Sequence, residues 1–407
     1  MDTFVIIGAS LAGGSAAVAL REEGFDGRVV LVGAEPEPPY ERPPLSKEYL
    51  RGELAFQKAL VRPAEWYAAN DVETRFGSRA TTIDPGARAV ELAEGERIAY
   101  DKVLVATGGR NRRLAVPGAD LDGVLDLRTV HDSDRIRAEA RPGRRAAVVE
   151  MGFIGSEVAA SLRESGVEVA AIASGRAPLD KVLGEDFGRV VGDVHREHGV
   201  ELHVLERVVA FEGAGRVERV VTEKGTRIEC DFAVVGARIE PAVEVVEGAG
   251  IELDDGVIVD ELCRTNVGGV FAAGDVARHW HPLFERRMRP EHWDNALKHG
   301  PAAARSMLGK GEPYAPVHWF WSDQYDLNLQ YAGLRAGFYE LVVRGSLEER
   351  SCVAFWLGSG RVLAVLGMNR GRDVRRTLGL IAARTPVEGA SLRDPDVDLR
   401  SLAPTEQ

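Results

Sequence analysis

FVIIGASLAGGSAAVALR (Phe4–Arg21) and AAVVEMGFIGSEVAASLR (Ala146–Arg163) decide how this chain is read. Each runs from a short apolar strand through a glycine-bearing turn into a helix. In such a unit the glycines let the backbone approach a pyrophosphate at the positive end of the helix. Two copies imply two dinucleotides and an α/β chain with two Rossmann-like domains. In the first copy the GxGxxG pattern reads Gly8, Ser10 and Gly13, with Leu11 and Ala12 opening the helix. Serine in the second place is small and costs little in backbone approach. In the second copy the first glycine is replaced by Glu150, followed by Met151, Gly152, Phe153, Ile154 and Gly155. A carboxylate there is expected to face the phosphates. If ionised within about 4 Å of one, it would repel it by ~4 kcal/mol at an effective dielectric near 20, about a thousandfold in affinity.

The neighbouring segments complete the first site. Gly24 ends the first helix, Val29–Gly33 reads as the second strand, and Glu35 beyond it is placed to bind ribose hydroxyls. Asp101–Gly109 is a strand running into Ala106, Thr107 and Gly108; Gly269–Ala277 is a strand ending at Gly274 and Asp275. Both return to the same nucleotide, and the aspartate suits a ribityl chain. Together they point to flavin adenine dinucleotide. The expected division is a discontinuous FAD domain over 1–111 and 237–315, a nicotinamide domain over 112–236, and a C-terminal α+β domain over 316–407. The second domain is entered through the turn-rich PGADLDGV and ends with the strand DFAVV and a turn at Gly236 and Pro241. In the third, YELVVRG, CVAFWLG and VLAVLGMN alternate as antiparallel strands, and GRDVRRTLGLIAA is a helix.

Bulk properties narrow the function. The chain has 407 residues, 45% hydrophobic and 28% charged, enough for two or three full cores. Its net charge of −12 disfavours broad nucleic-acid or membrane binding. No apolar run is long enough to cross a bilayer, and Met1 and Asp2 lead directly into the first strand, so a cytoplasmic protein is expected. Cys230, Cys263 and Cys352 form no CxxC, which disfavours a dithiol and supplies no zinc or iron–sulfur ligand set; no metal is expected.

At this point the motifs resemble the ferredoxin and rubredoxin reductases of bacterial oxygenase systems, within the glutathione-reductase-like flavoproteins. The resemblance rests on PPYERPPLSKEYL (Pro38–Leu50), VLVATGG, GFIGSEVAASL, FAAGDVA, RPEHWDNA (Arg289–Ala296) and WFWSDQYDLNLQYAG (Trp319–Gly333), and it covers nearly the whole chain. It implies a flavoprotein that takes hydride from NADH or NADPH and gives single electrons to a small iron–sulfur ferredoxin, which supplies an oxygenase. By motif, Gly8, Gly13, Glu35, Arg42, Lys47, Thr107, Gly108, Asp275 and Trp321 would line the flavin site. Ser10, Leu11, Ala12, Pro43, Ala106, Arg128, Gly274, Glu291, His292 and Trp293 would lie beside them. Gly152, Phe153, Ile154, Gly155, Glu157, Arg176 and Gly236 would form the nicotinamide side. The resemblance also implies that Lys47 pairs with Glu157 near the reactive face of the flavin, and a buried lysine indeed needs such a partner. RPPLSKEYLRG holds no cysteine, so a thiol mechanism is not expected.

The chain departs from that family at two places. Besides Glu150, the strand VEVAAIA ends in Ala173, where NADH-preferring relatives carry an acid. Ser174 and Arg176 follow; they would suit a 2′-phosphate, and Arg176 reads equally as a solvated loop residue. The expectation is an intact flavin site with nicotinamide binding that is weak, altered in pose or shifted toward NADPH. For docking an acidic ferredoxin the candidates are Arg286, Arg287 and Arg289, and Arg370, Arg372, Arg375 and Arg376, each also readable as a solvated face. Trp293, Trp319 and Trp321 would cover the flavin or lie on the electrons' route out, and each reads also as core packing. Two other functions stay open: a flavin-bearing partner-binding protein like the apoptosis-inducing-factor branch, and a standalone oxidase. The quaternary state is expected to be monomer or homodimer.

Overall fold

The computed structural model describes residues 1–236 and 238–403. Residue 237, where the second flavin segment was expected to begin, and the last four residues of the third domain lie outside them. The chain forms two compact units. The first comprises Met1–Glu41, Phe56–Arg110 and Ile239–His318; the second comprises Arg42–Ala55, Asn111–Arg238 and Trp319–Gln407.

The first unit is built on a five-stranded parallel sheet in the order Val270–Ala272, Lys102–Val105, Thr3–Ile7, Arg28–Gly33, Val72–Phe76. Four of its strands are nearly continuous apolar runs because both faces are covered, while the edge strand Val72–Phe76 is mixed and half-buried. Val5, Ile7, Val30, Val103 and Val105 pack on one side, and Phe4, Ile6, Val29, Leu31 and Leu104 on the other. The helices Leu11–Glu22 and Trp293–Met307 cross closely, and Gly300 makes that possible, since a Cβ there would lie 2.1 Å from the Ala12 carbonyl oxygen. Parallel register sets Ile7 beside Val32 and Val105, and Val105 beside Ala272. The segments after four strands therefore emerge at one edge, where ligands of such sheets bind.

The second unit contains a parallel sheet in the order Glu201–Val204, Glu168–Ala173, Arg145–Val149, Phe232–Val235, Val124–Asp126. It also contains a five-stranded antiparallel sheet in the order Trp319–Gln324, Leu327–Gly333, Arg361–Met368, Ser351–Gly358, Glu340–Ser346, followed by the helix Gly371–Ala382. Trp356, Leu329, Leu366, Phe187 and Val191 share a core beneath it. One expectation is corrected: Ile239–Pro241 is a short strand, not a turn. Gly109 and Arg110 run alongside it, with Arg110 Nε 2.8 Å from Glu240 Oε1, and the fixed φ of Pro241 suits extended backbone. Among the described residues no helix is long and apolar enough to cross a membrane.

Candidate active site

In the first unit the turn after Thr3–Ile7 is shaped by close backbone packing. Gly8 has φ +115°, and a Cβ there would lie 2.1 Å from the Ala106 oxygen. Gly13 sits where a Cβ would meet the Gly8 oxygen at 1.9 Å. The helix Leu11–Glu22 begins at Ser10, whose side chain caps nothing, and its first turn holds no acid. Its leading N–H groups and its dipole are thus left for an anion, beside Leu11 and Ala12. Glu35 lies just past Arg28–Gly33 on the neighbouring strand and accepts from the Tyr40 hydroxyl. Ala106, Thr107 and Gly108 leave the strand on the other side, where Thr107 Oγ1 donates to Ala242 O at 2.6 Å. Gly274, at φ +78°, and Asp275 follow Val270–Ala272, and Gly274 N donates to His299 Nδ1 at 3.2 Å. Glu291, His292 and Trp293 open the helix Trp293–Met307; burial pushes the His292 imidazole down to about 4, with Asp275 opposing. This cradle of glycines, a free helix terminus and a strand-end acid fits FAD.

The second unit holds the other predicted groups. The Arg42 guanidinium donates to the Arg128 carbonyl, and Pro43 starts the 3-10 turn Pro43–Ser46 that delivers Lys47. Lys47 and Glu157 are brought together: Nζ lies 2.9 Å from Oε2, with side chains 7% and 4% exposed. Glu157 projects from the helix Phe153–Glu164 and accepts twice more, from Ser46 Oγ at Oε2 and from Ser322 Oγ at Oε1, the latter at 2.7 Å. Behind Ser322, Gln324 Nε2 donates to its hydroxyl at 3.1 Å, and Gln324 Oε1 lies 3.1 Å from His195 Nε2. Burial pushes His195 down to about 4, so it is neutral and donates. Ser46, Ser322, Gln324 and His195 went unrecognised in the sequence, although SDQ stands inside the WFWSDQYD stretch. Trp321 stacks on Trp319 at 5.2 Å in this unit, whereas Trp293 belongs to the first.

The second dinucleotide turn repeats the first. A Cβ at Gly155 would lie 2.1 Å from the Glu150 oxygen, as Gly13 does to Gly8, and Gly236 approaches the same oxygen at 2.8 Å. A Cβ at Gly152, the N-cap of Phe153–Glu164, meets nothing, so open space stands where a pyrophosphate would approach. Phe153 packs on Phe320 at 4.8 Å between ring centroids, and Ile154 is exposed. Glu150 takes φ +68°, a left-handed conformation that favours glycine. Its carboxylate does not simply face the helix terminus: Ser174 Oγ donates to Oε2 at 3.0 Å, which places the charge at the end of Glu168–Ala173. Arg176 is 67% exposed, 4.0 Å from Glu185. Of the docking candidates, Arg289 is corrected. Its guanidinium is 9% exposed, held by Glu291 at 2.7 Å and Asp255 at 3.2 Å, so it belongs to no solvated rim.

Residues 2–300 match the pyridine nucleotide-disulphide oxidoreductase family, and residues 319–403 match the reductase C-terminal family. The chain is 40% identical to the ferredoxin–NAD(+) reductase component of the anthranilate 1,2-dioxygenase system of Burkholderia cepacia, over 98% of this chain and 99% of that one. It belongs to the ferredoxin reductases of oxygenase systems. Putidaredoxin reductase of Pseudomonas putida is 33% identical, over 98% and 96% of the two chains. Among solved structures, the covalent putidaredoxin reductase–putidaredoxin complex superposes with TM-score 0.96 at 33% identity, covering 98% of each chain. The ferredoxin reductase for the CYP199A2 system of Rhodopseudomonas palustris gives 0.95 at 34%, covering 99% and 100%. The family has a glutathione-reductase-like fold with a sheet-rich C-terminal part, and this member is an FAD-dependent oxidoreductase that uses NAD(P)H.

Proposed function

We propose that this enzyme passes electrons from NADH, through FAD, to a small iron–sulfur ferredoxin that supplies an oxygenase, and that it does so in the cytoplasm. Bound FAD would accept a hydride and release electrons singly. The observation that carries the reading is the state of the thiols. All three cysteines are buried, and burial pushes Cys230 up to about 12 and Cys352 to about 11, with Cys263 raised further. None stands in Arg42–Ala55, so no thiolate relay is at hand and electrons leave for an external acceptor. In this reading Lys47 stabilises negative charge that develops on reduction, and Glu157 positions it. Gly8, Ser10 and Gly13 hold one pyrophosphate at the helix terminus; Gly152 and Gly155 admit the other.

The donor is assigned through Glu150. Its carboxylate stands beside Ser174, where Ala173 leaves the strand end without an acid, and it takes over the ribose hydroxyls from the neighbouring strand. A 2′-phosphate there would meet like charge. Anaerobic stopped-flow reduction with each nicotinamide tests this. NADH should reduce the flavin at least about tenfold more efficiently than NADPH, the modest end of a like-charge penalty. Glu150→Gly should narrow that ratio. Native protein that prefers NADPH, or a variant with an unchanged ratio, sinks the assignment.

A further inference from the structure

The first unit carries a group of buried imidazoles for which electron transfer has no use. His279 and His281 stand two apart on the strand Ala277–His281 and so share a face. His318 reaches them from the segment after Pro316. A ring nitrogen from each lies within 4.8 Å of the other two. His279 and His281 have no exposed surface, and His318 is 5% exposed.

The proton on each ring can be placed. Burial pushes all three imidazoles down, His318 to about 2, so each is neutral with one N–H and one lone pair. His281 Nε2 lies 2.9 Å from the Pro316 carbonyl oxygen, which only accepts; the proton is therefore on Nε2 and the lone pair on Nδ1. That Nδ1 has no hydrogen-bond partner, and neither nitrogen of His279 or of His318 has one. Buried polar atoms are normally satisfied, so five open nitrogens in one place ask for an occupant. His299, 4.9 Å from His279 between ring centroids, is of another kind. Its Nδ1 accepts from Gly274 N, so its proton sits on Nε2 and it cannot ligate.

A water molecule has protons for two of the lone pairs; a cation answers all three. The His281 Nε2–H bond to a backbone carbonyl is also the second-sphere contact by which metal-bound histidines are held in one tautomer. Three imidazoles without thiolate suit a borderline divalent ion, and Zn²⁺ above the harder cations. We propose that His279, His281 through Nδ1 and His318 form a zinc site, with water as the fourth ligand, that clips the Pro316–His318 segment to the strand Ala277–His281. Side-chain rotation closes the nitrogens onto the ion.

The flavin-loaded enzyme, stripped with a chelator, titrated with Zn²⁺ and gel-filtered, should retain one zinc per flavin. Co²⁺ should give the d–d bands of a four-coordinate site with three nitrogens and one oxygen. His318→Phe should weaken retention at least about tenfold, as loss of a ligand demands. His318→Cys supplies a thiolate instead and should restore binding with a new sulfur-to-cobalt charge-transfer band, which separates ligation from packing even where the phenylalanine variant folds poorly. His131→Ala, at an exposed position, should change nothing. No zinc on the native enzyme, equal retention by His318→Phe, or a cysteine variant without the charge-transfer band would each overturn the site.

Discussion

Glu157 accepts from Lys47, Ser46 and Ser322 in a place nearly closed to water, and the consequence is asymmetric. An ion pair so buried gains little over a well-packed apolar pair, because both ions were desolvated to make it, whereas removing one partner strands the other. Lys47→Met should therefore destabilise the second unit by about 3–5 kcal/mol, as a buried carboxylate keeps only its two hydroxyl donors. Lys47→Met combined with Glu157→Leu should recover most of that loss. Urea unfolding of the two variants beside the native protein measures the coupling. A single-variant cost below about 1 kcal/mol would mean the pair behaves as a solvated one. Flavin reduction in the refolded double variant should stay slow, since stability returns without the ammonium.

The paired strand–turn–helix elements differ in how tightly each glycine is held, and that difference is testable within one turn. A methyl at Gly155 would press on the Glu150 carbonyl, so Gly155→Ala should cost about 1–3 kcal/mol by overpacking. A methyl at Gly152 meets no protein atom, so Gly152→Ala should leave the melting temperature in place while raising the KM for NADH roughly tenfold, by occupying the approach to the pyrophosphate. Equal effects of the two on stability would contradict the geometry. Much of this element scale was legible in the sequence. Glycine spacing after apolar runs located both turns, and alternation located the strands Glu340–Ser346, Ser351–Gly358 and Arg361–Met368 and the helix Gly371–Ala382, because these signals are local. What stayed hidden depends on contacts between distant segments. The direction of the Glu150 side chain is set by Ser174 on the next strand, and Arg289 is buried by carboxylates at 255 and 291. Ser322, Gln324 and His195 line up behind Glu157 only once a strand and two helices have packed. The three histidines meet through a strand and a segment far along the chain, with no spacing motif to announce them.

At the scale of the whole molecule, a net charge of −12 works against docking an acidic ferredoxin unless a local patch reverses the field. On the helix Gly371–Ala382, Arg372 and Arg375 are exposed and make no ion pair among the described residues, while Arg370 and Arg376 flank Asp373 at 4.0 and 3.2 Å. Arg372 and Arg375 are thus the free charges of that helix. If they steer the partner, kcat/KM for ferredoxin should fall about tenfold as salt rises from roughly 50 to 500 mM, because the Debye length shrinks below the width of the patch. Arg372→Glu with Arg375→Glu should give the same fall at low salt and abolish the remaining salt dependence. Single-turnover reduction of the flavin by NADH, measured in the same buffers, should differ little between the native and doubly substituted proteins, since the substituted helix lies in another sheet's cover from the dinucleotide turns. Ferredoxin turnover that ignores salt in the native enzyme would remove the patch from the docking surface and leave shape, not charge, to select the acceptor.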